Sequence, residues 1–488
     1  MAKLYIFGIG GTGSRVLRAF TYLLGAGVKV NGYNEVVPIV VDADSTSGDK
    51  TDAVKLMETY QKLYNHADHT EAADPNGFFA TQMGNCCKNG FTLNIPGETA
   101  QKFKNYMNFQ GLNRANRGLV KMLFSEKNLD SDMAVGFKGN PNIGSVVLNQ
   151  FIKSEDFASF ANGFTQGDAV FIISSIFGGT GASGFPILLK NLRSDNSQAF
   201  PNAHTIAEAQ IGAISVLPYF KLNAIDETRE DQIDSGTFYM KTRAALKYYA
   251  GNLSELDHMY YIGDNDQATY ENRDGGPQQK NRPNFIEFVA ALSIFDFAKQ
   301  TIGADPHSAT SQTEYHEFGI NEDKNEFNFS NLDDITVKLV RKPMTKLLLA
   351  HKFFTQALDD SWDKTWAKTH EPTLNETTIE RDGFYNQLLY FTTGYEQWLC
   401  DMSEVGRKFT PFNLNATGKQ LFDLVSGVKP QKVLAIDSGF GLFNNRLDKI
   451  KDNTAKQRLP KSLKTPAAYW LNLFSLATER LIKEKLKF

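Results

Sequence analysis

Residues Phe171 to Phe185 read FIISSIFGGTGASGF, an apolar run that breaks into glycine, threonine and serine. Five apolar or small residues followed by a glycine turn predict a fully buried strand running into a loop and then a helix. Glycines at such a junction let backbone N–H groups approach a phosphate at the helix N-terminus. A P-loop would finish with Lys-Ser or Lys-Thr, and this one does not. The donors left are the amides of Gly178 to Gly184 and the hydroxyls of Thr180 and Ser183. The helix terminus supplies positive potential, and a Mg²⁺ held mainly by phosphates and waters would neutralise part of the charge.

A second loop of the same kind opens the chain. Leu4 to Phe7 reads as a strand, GIGGTGS as a loop and Ser14 to Leu24 as a helix, with Val16, Leu17, Phe20, Leu23 and Leu24 on one face. VVPIVV (Val36 to Val41) is the next strand and ends in Asp42-Ala43-Asp44. By itself GIGGTG suits NAD, FAD, ATP or GTP, or a glycine turn with no ligand. Two glycine loops after two buried strands suggest a phosphate chain held from both sides.

Further strands at Ile211–Leu217 and His258–Ile262, separated by helical stretches, predict an α/β fold with a doubly wound parallel sheet. The stretch 61–110 reads as a polar insertion with little sheet content, and Glu271–Pro283 as a loop. From Asn284 the chain is apolar on nearly all sides, the pattern of a helix buried between domains. Residues 1–283 are therefore expected to form a nucleotide-binding domain, 284–302 a central helix, and 303–488 an α+β or mostly helical second domain.

Composition narrows the classes. The 488 residues are 41% hydrophobic and 22% charged, with formal net charge -3, which offers nothing to nucleic acid. No apolar stretch reaches the roughly 20 residues of a membrane span, and MAKLYIFGIGG does not read as a signal peptide. Three cysteines suit a reducing cytoplasm. The adjacent Cys86 and Cys87 read as free loop thiols or a redox switch. His66 and His69 could share a metal but show no third ligand, so a solvated loop is the alternative. HEF is not HExxH and no GxSxG occurs, which excludes those hydrolase classes. Trp362, Trp366 and Trp398 are expected in a core. Leu471, Phe474, Leu481 and Ile482 form a C-terminal stripe that packs on its own domain or on a protein partner.

Taken in order, these motifs resemble the tubulin superfamily, including the cell-division protein FtsZ, and more narrowly bacterial tubulin-like proteins. GIGGTGS matches the family's first loop, VVPIVVDAD its second strand, GNPNIGSVV (Gly139 to Val147) its terminal-phosphate loop, and FGGTGASG its signature, with Phe177 at the first glycine and Ala182 inserted. LPYFKL with Asp226 and Glu227 resembles the stretch that meets the ribose. The likeness covers roughly residues 3 to 265. It implies GTP or GDP, with Mg²⁺, on Gly10, Gly11, Thr12, Gly13, Asp42, Asp44, Gly139, Asn140, Gly178, Gly179, Thr180, Gly181, Ser183 and Glu227. Asn284, or else Asn265 or Asn281, would take the base.

The resemblance further implies head-to-tail filaments in which a neighbouring subunit completes GTP hydrolysis. Asn331-Leu332-Asp333-Asp334 is the nearest match to the family's acidic motif, with its third position shifted; Asn284–Phe288 is another. Asp333 and Asp334 would polarise the attacking water, or simply cap the helix that follows. Two other functions fit parts of the pattern. A ubiquitin-activating-type adenylating enzyme using ATP fits residues 6–44 but needs Cys86 or Cys87 as acceptor. A nucleotide-dependent scaffold would keep the fold without turnover.

Overall fold

The computed structural model describes residues 2–67, 69, 77–97, 101–134, 136–137, 139–195, 199–223, 235–253, 255–265, 268–273, 275–303, 312–318, 324–368, 374–380, 383–431, 439–451, 463 and 465–488. Its centre is a sheet of seven parallel strands in the order β3-β2-β1-β4-β5-β7-β9. These are β1 (Lys3–Ile9), β2 (Glu35–Val41), β3 (Gln82–Met83), β4 (Ala169–Ser175), β5 (Gln210–Val216), β7 (His258–Ile262) and β9 (Glu314–Glu317). Between them β6 (Phe220–Leu222) and β8 (Ala268–Tyr270) form a small parallel pair. Every residue of β4 is buried, as an apolar strand covered on both faces must be.

The longer helices are α1 (Gly10–Gly25), α2 (Gly48–His66), α3 (Arg114–Leu123), α4 (Pro141–Leu148), α5 (Glu155–Gly163), α6 (Gly179–Leu192) and α7 (Phe238–Asn252). After them come α8 (Phe285–Gln300), α9 (Asp334–Gln356), α10 (Phe384–Met402), α11 (Phe440–Lys451) and α12 (Pro466–Leu481). Alternation along the strands assigns their faces. Tyr5 and Phe7 of β1 pack on Phe160 of α5, while Phe171 of β4, level with Ile6, packs on Phe297 of α8. Helices on both faces make the sheet doubly wound, as the alternation predicts.

Helix α8 is the expected central helix. Residues Phe285 to Phe295 are all buried, with Phe295 against Phe20 of α1 and Phe288 against Trp398 of α10. Tyr22 of α1 also touches Phe391, Tyr395 and Trp398, so the C-terminal helices share one apolar cluster with the sheet. Trp366 and Trp470 are fully buried, and α12 is covered almost all round, which leaves no apolar stripe of that helix open to a partner.

The described part of the stretch 61–110 holds one two-residue strand, as little sheet as expected, together with several buried apolar residues. Helix α2 extends to His66, β3 adds the edge strand beside β2, and Thr92 bridges to Val40. Phe91, Leu93 and Ile95 are buried, a period-two signal hidden in a polar background, and Phe78, Phe79 and Phe103 join them. This segment completes one side of the sheet.

Candidate functional site

The strand order reverses between β1 and β4, which lie side by side, so the loops leaving their carboxyl ends open into one crevice. The two loops touch: a Cβ on Gly10, whose φ is +71°, would sit 3.3 Å from the Thr180 Cβ. A third loop closes from the other side. A Cβ on Gly179 would lie 3.0 Å from the Gly139 amide nitrogen and 3.2 Å from that of Asn140. Only glycine lets these backbones approach so closely. Neither Ile9 nor Gly178, the N-caps of α1 and α6, caps its helix with a side chain, and neither first turn carries an acid. Two helix N-termini with uncapped amides thus face a cleft of about 480 Å³.

The other walls are aromatic and polar. Phe177, Phe220, Phe238 and Tyr270 form an apolar side, with Phe177 4.9 Å from Phe238 and Phe220 5.2 Å from Tyr270 between ring centroids. Asp42 and Asp44 line the cleft at the end of β2. Asp44 accepts from Thr46 at 2.8 Å and from the Gly276 amide at 2.6 Å. Burial pushes the Asp42 carboxyl up to about 6, against the pull of Lys50 and its hydrogen bond from the Asp44 amide.

The loop 271–282 supplies a wall that sequence reasoning left as an unassigned connection. It is pinned on the start of α2, where the Asp49 amide donates to the Gln279 carbonyl at 3.1 Å. Its cations already have partners: Arg273 pairs with Glu271, Lys280 with Asp52 at 2.6 Å, and Arg282 with Asp401 and Glu404. Three cations within ten residues after a strand was the available signal.

Arg15 also reaches the cleft, but its guanidinium is spent. Nε donates to Glu287 at 2.5 Å and Nη1 to Asp49 at 2.5 Å, while Nη2 donates to the Tyr219 hydroxyl at 2.9 Å and to Thr12 at 3.3 Å. Tyr219 in turn donates to Glu287 at 2.6 Å. All four partners of this node are buried. Burial opposes the charge on Arg15, yet Tyr219, Asp49 and Glu287 hold its pKa well above the usual value. With this cation matched by two carboxylates, an anion in the cleft would be met by backbone amides.

Of the residues singled out in the sequence, Gly10, Gly11, Thr12, Asp42, Asp44, Gly139, Gly178, Gly179, Thr180 and Gly181 line this one cleft. Gly13 lies behind it, where a Cβ would meet the Gly8 carbonyl carbon at 2.5 Å; it is the glycine that packs α1 on β1. Ser183 is turned away, its hydroxyl donating to the Gly179 carbonyl at 2.7 Å. Asn140 stands at the N-cap position of α4 beside the cleft, without a side-chain bond to the helix, and Pro141 takes the first helical position. Asn284 is the N-cap of α8, accepting from the Ile286 amide at 2.9 Å within a capping box completed by Glu287. The asparagine lining the cleft is Asn281. Glu227 falls outside the described residues.

Asp333 and Asp334 stand apart from the cleft's lining. Asp333 caps α9, accepting from the Ile335 and Thr336 amides at 2.9 Å each. Burial would raise its pKa, but these bonds and the Thr336 hydroxyl hold it below the usual value. The segment before it returns to the start of the central helix: the rings of Phe327 and Phe285 are 4.2 Å apart. His69 stacks on Tyr64 at 3.7 Å and His66 packs on Phe384. Cys87 is buried, and its neighbour Cys86 together with burial pushes its thiol up, which makes it a poor acceptor.

No protein-family model and no curated protein matches this chain. Solved structures do. CetZ2 from Haloferax volcanii, a GTPγS-bound protofilament, aligns over 62% of this chain and 60% of its own, at 12% identity and TM-score 0.30. CetZ1 from the same organism, a GDP-bound monomer, aligns over 62% and 61% at 14% and 0.30. CetZ from Methanosaeta thermophila aligns over 62% and 52% at 14% and 0.26. The alignment spans less than two thirds of each of those proteins. They are archaeal members of the tubulin/FtsZ superfamily and lend nothing to the narrower bacterial likeness. With TM-scores this low, the functional reading rests on the cleft. Among the described residues no helix is long and apolar enough to cross a membrane.

Proposed function

We propose that this protein is a tubulin-like guanine-nucleotide-binding protein that assembles head-to-tail, with GTP hydrolysis completed between subunits. The observation that carries the reading is the meeting of three glycine loops, around Gly10, Gly139 and Gly179, over two uncapped helix N-termini at the switch point of a parallel sheet. Amides so arranged suit a chain of phosphates without a lysine. The aromatic wall suits a base, and Asp42 or Asp44 a ribose hydroxyl. Guanine is assigned from the likeness of the motifs, with Asn281 taking the place first given to Asn284. Both Asp44 oxygens already accept protein donors, so Mg²⁺ would be held by phosphates and water, with Asp42, which also lines the cleft, able to help.

A contact between unlike ends of identical subunits leaves an unused end on each added subunit, so it builds filaments where the rotation does not close a ring. Light scattering with GTP, GDP and no nucleotide tests this: GTP should favour assembly, and three identical traces would refute it. Turnover per molecule should rise with protein concentration. A nucleotide-dependent scaffold without turnover is the second reading, favoured by one observation: Asp333 uses its carboxylate as a helix cap.

A further inference from the structure

We propose that His258, Glu314 and His316 form a zinc site that fastens the last strand to the edge of the sheet. His258 opens β7 and faces Glu314 across the parallel register, while His316 lies opposite Tyr260. Positions two apart on a strand share a face, so Glu314 and His316 project on the same side as His258. His258 Nδ1 lies 3.1 Å from His316 Nε2 and 3.5 Å from a Glu314 carboxylate oxygen, and the third separation is 4.0 Å. One ligand atom from each residue falls within 4.8 Å of the others.

These separations match the chemistry. Zn²⁺ with bonds of about 2.0–2.1 Å in a tetrahedron has ligand–ligand edges of roughly 3.4 Å. The three observed spacings bracket that edge, so a cation enters with adjustments of a few tenths of an ångström. Two imidazoles and a carboxylate suit zinc, and three protein ligands leave a fourth position for water. The support is built around them. His258 is buried against Phe297 of α8 at 5.6 Å, and His316 stacks on Tyr260 at 4.4 Å, whose hydroxyl donates to Asp296 at 2.8 Å. Rings held in place by packing lose little freedom on binding metal.

The site is independent of the nucleotide cleft. His258 and Glu314 sit at the amino ends of their strands, whereas the cleft lies at the carboxyl ends. β9 is a four-residue edge strand. A metal bridging β7 and β9 would tie the chain leaving α8 to the sheet.

The test uses the full chain without a histidine tag, stripped with chelator. Titration with Zn²⁺ should show one equivalent bound, with a rise in Tm, and Co²⁺ should give visible absorption of tetrahedral intensity. His258→Asn with His316→Asn should abolish both signals. Glu314→Gln, at an exposed position that the fold tolerates, should weaken zinc by about tenfold or more while circular dichroism stays unchanged. Absence of zinc binding at micromolar metal, or equal binding by wild type and the Glu314→Gln protein, overturns the site. Neither result bears on nucleotide binding.

Discussion

Arg15, one turn behind the first glycine loop, donates from Nε to Glu287 in the first turn of the central helix at 2.5 Å, across 272 positions of sequence. The same guanidinium holds Asp49 of α2, so one buried side chain joins the loop, the second helix and the central helix. A change in the glycine loop is thereby one hydrogen bond from the helix that the rest of the chain packs on.

Breaking that node should be costly. Arg15→Met leaves two buried carboxylates without their cation, and removal of one partner of a buried pair costs about 3–5 kcal/mol. Denaturant unfolding should show this loss. Arg15→Met with Asp49→Asn and Glu287→Gln, which removes the stranded charges, should recover a large part. A triple variant no better than the single one would contradict this account of the node.

Gly179→Val places a side chain where the Gly139 and Asn140 amides stand, both backbone atoms that cannot step aside. Nucleotide affinity should fall more than tenfold, about 1.4 kcal/mol. Gly118→Ala is the control: a Cβ there meets nothing within 4 Å, so binding should be unchanged. Calorimetric titration of both variants decides.

Asp42 gives a pH dependence with a definite sign. Its folded carboxyl titrates at about 6 instead of 3.8, because burial disfavours the ionised form. The folded state then holds the proton more tightly than the unfolded chain. Its contribution to stability falls as pH rises from about 4 to 6, and the loss is complete above that. Asp42→Asn should be more stable than wild type at pH 7, on the order of 1–3 kcal/mol, with the advantage gone near pH 4. A constant difference across that range would show that Asp42 is not the group responsible.

Asp333→Ala removes a helix cap and should cost about 1 kcal/mol, whatever else it does. Asp334→Ala, at the exposed neighbour, should cost little stability. If the pair acts on a neighbouring subunit's nucleotide, the double variant keeps binding and assembly but loses turnover. Full turnover in the double variant would remove both from the reaction.

The sheet and its switch point were legible because β1, β2 and β4 are apolar runs of only seven residues each, bounded by glycine or acid and too short for a buried helix such as α8. Ten of the proposed ligands meet for the same reason: strand order alone brings their loops together. What stayed hidden depends on contacts between distant segments. The Arg15 node draws on residues 15, 49, 219 and 287, and no local spacing announces it. Ser183 and Asn284 have the right chemistry in the right motif, yet their own helix backbones take their hydrogen bonds. His258 and His316 are brought together only by the pairing of β7 with β9.

The most direct test of the central claim is equilibrium binding of GTP, GDP, ATP and NAD to the full chain, measured side by side. GTP and GDP should bind at one site per chain, with ATP and NAD weaker by more than about tenfold, 1.4 kcal/mol. Equal affinity for GTP and ATP would contradict the guanine assignment, and no binding of any of the four would contradict the cleft itself.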